Sequence, residues 1–307
     1  MARPGIKNFS FCLKNKINKL KAIGLTANID KLKCKALVDN VARLVVDSGY
    51  LLVSDEATAG LITSVPVTRC GSLIDVAKAS DLFLIIGGDG TMLRVARETA
   101  GSKTPLLGIN AGGLGFLTAV PHDALSMAWQ KILAGEFSVE VRPFILATGS
   151  SFNQDFSMLA LNDFVVTRGI TSRMIELEVH VDDQFLTSYR CDGLIVCTPT
   201  GSTAYSLSAG GPIISPQASV LGITPICPHT LNNRCVLVGI DSIVSIRAIS
   251  ERVEVFLTAD GQVQAPVQPQ SIVKIHKSQL TAGLVRLNDD SFFNTLRQKL
   301  HWRGSHV

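Results

Sequence analysis

Gly87-Gly88-Asp89-Gly90-Thr91 separates an apolar run ending at Ile86 from a helix-periodic run beginning near Met92. At the carboxyl end of a strand, glycines let a ligand approach the backbone, and the free amides of the next helix attract phosphate. Asp89 departs from an ordinary phosphate loop, because a carboxylate repels phosphate unless a metal or a hydroxyl proton stands between them. Two chemical uses fit: taking the proton of an attacking hydroxyl, or holding a magnesium ion that bridges phosphates. A helix N-cap is an equally open reading of Asp89 from its neighbours alone. The sequence contains neither G-x-x-x-x-G-K-[ST] nor a well-placed G-x-G-x-x-G, so any nucleotide site is built in another way. The chemistry indicated is phosphoryl transfer from a nucleotide to a hydroxyl of a second, anionic small molecule.

A second glycine cluster, Asn110-Ala111-Gly112-Gly113-Leu114-Gly115-Phe116, follows the next apolar run and is expected beside the first on one sheet edge, although alone it also reads as a plain turn. Further on, Asp192 to Tyr205 sets an apolar strand against a loop crowded with hydroxyls around Gly201. A Ser/Thr turn before a capped helix explains Ser202 and Thr203 but gives no reason for Thr198, Thr200 and Tyr205, so phosphate or ribose binding is the better reading. Asn162-Asp163 interrupts apolar residues on both sides; a buried turn would look the same, but such a polar pair must be satisfied, and a ligand is one means. His229 has no neighbours resembling a triad or a metal set and is read as structural.

These residues need elements to hold them. Apolar runs at 22–26, 50–53, 82–86 and 106–109 read as strands. Helical periodicity places Leu32, Ala36, Leu37, Val41, Leu44 and Val45 on one face, stopped by Gly49, with further helices at 73–79, 92–100 and 123–134. The first part is therefore an open-sheet, Rossmann-like α/β domain. After Gly135 period-two patterns take over: Ile175, Leu177, Val179 and Val181 before Asp182-Asp183, then Ile243, Ile246, Val253, Val255 and Leu257. This predicts an all-β sandwich as the second domain. Phe292, Phe293, Leu296, Leu300 and Trp302 form an amphipathic ending that needs a partner surface. The expected division is a basic extension over 1–20, an α/β domain over 21–122, a β-sandwich over 123–280, and a segment over 281–307 that packs back on the α/β domain.

At 307 residues with 46% apolar side chains the chain is long enough for two cores. No apolar run approaches the ~20 residues that cross a bilayer, so no membrane role is expected. The balance of 29 basic to 25 acidic residues, a net charge of +4, does not suit a nucleic-acid binder. Basic residues concentrate at the start, with Arg3, Lys7, Lys14, Lys16, Lys19 and Lys21 and no acid through residue 22. Without an apolar core or a cleavage site this is no secretory signal; Lys-rich and Ser-poor, it is no transit peptide but a solvated extension, with an early start codon as one origin. Seven cysteines, Cys12, Cys34, Cys70, Cys191, Cys197, Cys227 and Cys235, include no C-x-x-C pair, which suits a reducing, cytoplasmic setting and argues against zinc.

Gly87 to Thr91 also resembles the phosphofructokinases and the diacylglycerol and sphingosine kinases. Combined with the run from Asp192 to Pro212, it resembles the NAD kinases specifically. The segments Asn110–Leu117, Asn162-Asp163, Pro228–Leu231, Asp260-Gly261-Gln262 and Phe293–Leu296 extend the likeness from about Lys21 to Trp302. Cys197 stands where serine is usual in such enzymes, and Cys235 where proline is common. The resemblance implies that Asp89 accepts the proton of the adenosine-ribose 2′-hydroxyl of NAD as it attacks the γ-phosphoryl group of ATP, polyphosphate or a related donor. It places Gly90 against the dinucleotide, with Asn162 and Asp163 hydrogen-bonding the substrate. Asp192, Thr203, Ala204, Tyr205, Ser206, Leu207 and Ser208 then line the pocket and Gln262 closes it. Arg94, Arg173 and Arg190 become the phosphate-side cations, although for a lone arginine on a strand a solvated face is the commoner explanation. It also implies a divalent cation, Mg2+, on the donor phosphates, a site between the domains, and a homodimer or homotetramer; a product that shares the substrate pocket is expected to inhibit competitively. A lipid or sugar kinase would share Asp89 but not the run from Asp192, and a non-catalytic dinucleotide sensor would have no need of Asp89.

Overall fold

Leu82 to Ile86 offer no polar side chain to water, so the segment becomes a strand covered on both faces, every residue at 2% exposure or less. The computed structural model in which this is seen describes residues 20–302 apart from 114, 152, 153, 171, 172, 231, 232, 251, 252, 289 and 290. The basic extension through residue 19 with Cys12, Leu114 of the second glycine cluster, and Leu231 lie outside the described residues. The chain divides into two compact units, one running through Val141 and resuming at Ala282, the other spanning Arg142–Thr281.

The first unit runs β1 (Ala22–Ala27), α1 (Leu32–Asp47), β2 (Leu51–Asp55), α2 (Glu56–Ala59), β3 (Thr68–Cys70), α3 (Leu73–Lys78), β4 (Leu82–Gly87), α4 (Asp89–Glu98), β5 (Leu106–Asn110), β6 (Val120–Pro121) and α5 (Leu125–Ala134), then enters β7 (Phe137–Ser151). The strands pair in parallel in the order β5-β4-β1-β2-β3, with β6 also on β5. Helix α1 buries Cys34, Val38, Val41, Ala42 and Val45. Its buried face is thus turned from the expected one: Leu32 opens the first turn at 82% exposure, and Ala36 is exposed. Gly49, at φ +86°, ends the helix as glycine can without steric cost.

The division places residues 123–141 in the first unit, not in the β-domain where the sequence expectation put them. The reason is α5, whose Ala128, Trp129 and Ile132 are buried in the core that holds β1 and β4. Trp129 meets Tyr50 edge-on at 6.0 Å, and its indole N–H donates to Ser48 Oγ at 2.9 Å, fastening α5 to the end of α1.

The second unit runs β8 (Gln154–Ala160), β9 (Asp163–Arg168), β10 (Ile175–Val181), β11 (Gln184–Cys191), β12 (Gly193–Cys197), α6 (Tyr205–Ser208), β13 (Val220–Ile226), β14 (Val236–Gly239), β15 (Val244–Ala248), β16 (Val255–Ala259) and β17 (Val263–Val267). Strand β18 (Ile272–Leu287) then leaves it for the first unit, and α7 (Phe292–Lys299) follows. One sheet pairs β11-β10-β15-β18 with the β7-β8 hairpin on β18; the other has the order β14-β13-β12-β9-β16-β17 and is antiparallel throughout. Phe164, Leu177, Val196, Ile246 and Leu257 meet between the sheets, making the expected sandwich. In β15 the strand's phase differs from expectation by one residue at its start: Val244 and Ile246 face the core, and Ile243 is 44% exposed. Asp182 and Asp183 close β10 to β11 with φ of 50° and 64°, the left-handed pair that a tight hairpin requires.

Trp129→Ala removes both the aromatic packing and the bond to Ser48, and is expected to cost about 3–5 kcal/mol. Chemical denaturation checks this: a loss well under 1 kcal/mol would mean α5 is not held by this side chain.

Candidate active site

Asp89 is not the N-cap of α4. Gly88 holds that position, and Asp89 is the first helical residue. Its carboxylate is taken instead by two consecutive amides of the second glycine cluster: Phe116 N–H donates to Oδ2 at 2.8 Å and Leu117 N–H to Oδ1 at 3.0 Å. The cluster reaches Asp89 because Gly87 on β4 pairs with Asn110 on β5, setting the two loops side by side. Asn110 shapes the loop, accepting from Gly112 N–H at 2.7 Å and donating to Gly113 O and to Thr118 Oγ1. Gly115 is obligatory, since a Cβ there would collide with Asp89 Oδ1 and Thr118 Oγ1. Each carboxylate oxygen has two acceptor sites, so one amide apiece orients the group and leaves it able to take a hydroxyl proton.

A second carboxyl cluster lies within the sandwich unit. Asp260 opens the turn between β16 and β17 at φ +49°, followed by Gly261 at +66°. Its carboxylate accepts from three successive amides, those of Leu161 (3.1 Å), Asn162 (2.8 Å) and Asp163 (3.3 Å). Burial first, and the Asp260 charge second, push the Asp163 carboxyl up from 3.8 to about 7. The Oδ1 of Asn162 is buried with no hydrogen-bond partner, an acceptor that costs stability until a donor arrives. Thr198 binds this turn from the other side: its hydroxyl donates to Leu161 O at 2.6 Å and its N–H to Asn162 O at 2.8 Å. Gly201 packs so closely on Asn162 that a Cβ would strike the Asn162 carbonyl.

The family model for the ATP-NAD kinase N-terminal domain matches residues 23–137, and that for the C-terminal domain matches residues 161–287. An NAD kinase of Moorella thermoacetica is 39% identical over 287 residues, 93% of this chain and 91% of the relative. The chain belongs to the NAD kinase family. As an NAD kinase it phosphorylates NAD to NADP with ATP. An NAD kinase of Caldanaerobacter subterraneus is 37% identical over 282 residues, 92% of this chain and 99% of its own. Among solved structures, yeast NADH kinase complexed with NADH has the same fold, with TM-score 0.84 at 23% identity over 94% of this chain and 90% of that one. An Archaeoglobus fulgidus NAD kinase in complex with ATP follows at TM-score 0.70 and 24% identity, covering 92% and 100%.

In this NAD kinase the remaining expected site residues fall into distinct surroundings. Asp192 is paired with Arg168, Nε to Oδ1 at 2.8 Å. Arg173 and Arg190 are exposed and have no ion-pair partner among the described residues. Arg94 pairs with Glu98 at 3.8 Å, and five residues along the helix turn it roughly 140° from Asp89. Not all hydroxyls of the Thr198 to Ser208 segment face a ligand. Ser202 accepts from Ile214 N–H at 3.0 Å and donates to Pro199 O at 2.8 Å, and Ser206 is 3.0 Å from Thr224 Oγ1; these and Thr198 are buried and build the loop. Thr203, Ala204 and Leu207 are half-buried, while Tyr205, Ser208 and Gln262 are exposed. Sequence reasoning missed Asp260 and Arg168 as the residues that hold Asn162-Asp163 and Asp192. The local signal for Asp260 is the Asp260-Gly261 pair, which marks a turn with left-handed backbone.

Because the Asp163 carboxyl is raised, the folded chain keeps a proton that the unfolded chain releases between 3.8 and about 7. Its contribution to stability is therefore full at low pH and declines as pH rises through that window. Asp163→Asn abolishes the titration, so its melting temperature should gain on the parent's by several degrees between about pH 5 and about pH 8. A difference that stays flat with pH would show that Asp163 is ionised throughout.

Proposed function

We propose that Asp89 is the proton acceptor of the reaction, taking the proton of the adenosine-ribose 2′-hydroxyl of NAD as that oxygen attacks the γ-phosphoryl group of ATP. The observation that carries this is the pair of amide bonds from Phe116 and Leu117: the carboxylate is oriented by the loop and is not used to cap α4. Phosphoryl transfer has a loose transition state, so alignment of the hydroxyl matters more than base strength. A fixed carboxylate supplies that alignment.

On the family resemblance, Gly90 lies against the dinucleotide, and Asn162 and Asp163 bind it, with Asn162 Oδ1 accepting the hydrogen bond it lacks. Protonated Asp163 would donate one in return below about pH 7. Asp192 with Thr203, Ala204, Tyr205, Ser206, Leu207 and Ser208 shapes the pocket, Ser206 from beneath, and Gln262 closes it. Arg94, Arg173 and Arg190 serve the phosphates, Arg94 carrying only a loose, exposed contact with Glu98 at 3.8 Å.

Among the described residues no group of three or more His, Cys, Asp or Glu is placed to hold a metal. A divalent cation such as Mg2+ would be carried by the donor triphosphate and would neutralise charge on its oxygens. Among the described residues no helix is long and apolar enough to cross a membrane. The reading includes a cytoplasmic homodimer or homotetramer, inhibited by its product NADP; light scattering that gives a monomer at micromolar concentration would remove the oligomer from it.

The direct test is NADP formation from NAD, ATP and magnesium by the parent and by Asp89→Asn. Turnover should fall by about 10²- to 10⁴-fold in a variant that still binds NAD. Parental turnover in Asp89→Asn would refute the base assignment, and polyphosphate in place of ATP measures the donor range.

A further inference from the structure

The loop that holds Asp89 has little stiffness of its own, with glycine at 112, 113 and 115. Something else must fix the plane of the peptide that joins Phe116 to Leu117. Its N–H, on Leu117, donates to Asp89 Oδ1 at 3.0 Å. Its carbonyl, on Phe116, accepts from Arg286 Nη2 at 2.6 Å. A peptide unit is rigid and planar, so a bond at each end sets its rotation. The two bonds also polarise each other, since a carbonyl that accepts from a cation makes its own N–H the better donor.

Arg286 is suited to this. It lies in the last turn of pairing of β18, beyond Leu284, which pairs with Leu106 of β5, the strand that leads into the loop. Its side chain is only 15% exposed, and Nε is aimed by Glu140 Oε2 at 3.4 Å. Phe116 is held on its other side by α7, where the Phe292 ring lies 6.4 Å away and Lys299 Nζ 5.7 Å from the Phe116 ring centre.

We propose that Arg286 is a positioning residue for the reaction, holding the Phe116–Leu117 peptide so that its N–H fixes the Asp89 carboxylate. The inference rests on the reading of Asp89 as the proton acceptor. A purely structural ion pair with Glu140 is the alternative, and a partly exposed pair of that kind contributes little.

Arg286→Met and Arg286→Gln separate the two. A positioning role predicts that kcat falls by about 10- to 100-fold, the worth of one charge-assisted hydrogen bond, with KM for NAD and for ATP within about twofold of the parent. Arg286→Lys, which keeps a cationic donor, should recover most of the loss. Parental kcat in either folded variant overturns the proposal, as does a loss that comes with raised KM and that lysine does not reverse. Asp89→Asn, assayed alongside, keeps the two ideas apart: if it turns over like the parent, the base reading has failed, whereas an inactive Asp89→Asn beside a fully active Arg286→Met defeats only the role of Arg286.

Discussion

A carboxylate held by two successive backbone amides is the constraint around which the first unit is organised. Asp89 can accept from Phe116 and Leu117 only if β4 and β5 end together, if Asn110 folds the following loop back, and if residue 115 has no Cβ. Each condition is met by a residue of a different kind: an apolar strand, a side-chain amide and a glycine. The parallel sheet supplies the register that sets the two loops side by side. What the helix gives up is a side-chain cap, since Gly88 offers none.

The sandwich unit uses the same device for a different end. Asp260 gathers the amides of 161, 162 and 163, as Asp89 gathers those of 116 and 117, but it is buried and organises a turn in which Asn162 Oδ1 stays unsatisfied. The cost appears at Asp163, whose proton is kept up to about 7 because a second carboxylate is near and water is not. One aspartate is itself fixed by backbone amides; the other fixes its neighbours and displaces a titration toward neutrality.

The sheet was legible in the sequence because its signals are local. An unbroken apolar run at 82–86, alternation at 175–181 and glycines at strand ends state their roles within a few residues. The hydroxyl-rich loop was only half legible: Ser202 serves the turn as its neighbours suggest, but Thr198 looks like a ligand group in sequence and faces a backbone carbonyl that no local pattern could announce. Leu32 was assigned inward because periodicity does not say where a helix starts relative to its core. The extent of the first unit escaped because period-two patterning begins after Gly135 while α5 before it still serves the α/β core. Arg286 carried no signal at all, since its partner Phe116 is a residue far earlier in the chain contacted through its carbonyl.

Strands β7 and β18 each begin in one unit and end in the other, and the first unit is completed only by the residues from Ala282 onward. Translation therefore delivers the parts out of order. When Asp89 and its glycine loop leave the ribosome, the strand that carries Arg286 and the helix that lies against Phe116 do not yet exist, and the whole sandwich must be synthesised first. The nascent α/β half has to wait with the β18-facing edge of β5 covered only by the two residues of β6, while the later half can close on its own sequence. Such long-range pairing is slow to form and exposes apolar edges in the interval. The arrangement leaves the loop around Asp89 to be finished by residues made after the whole sandwich.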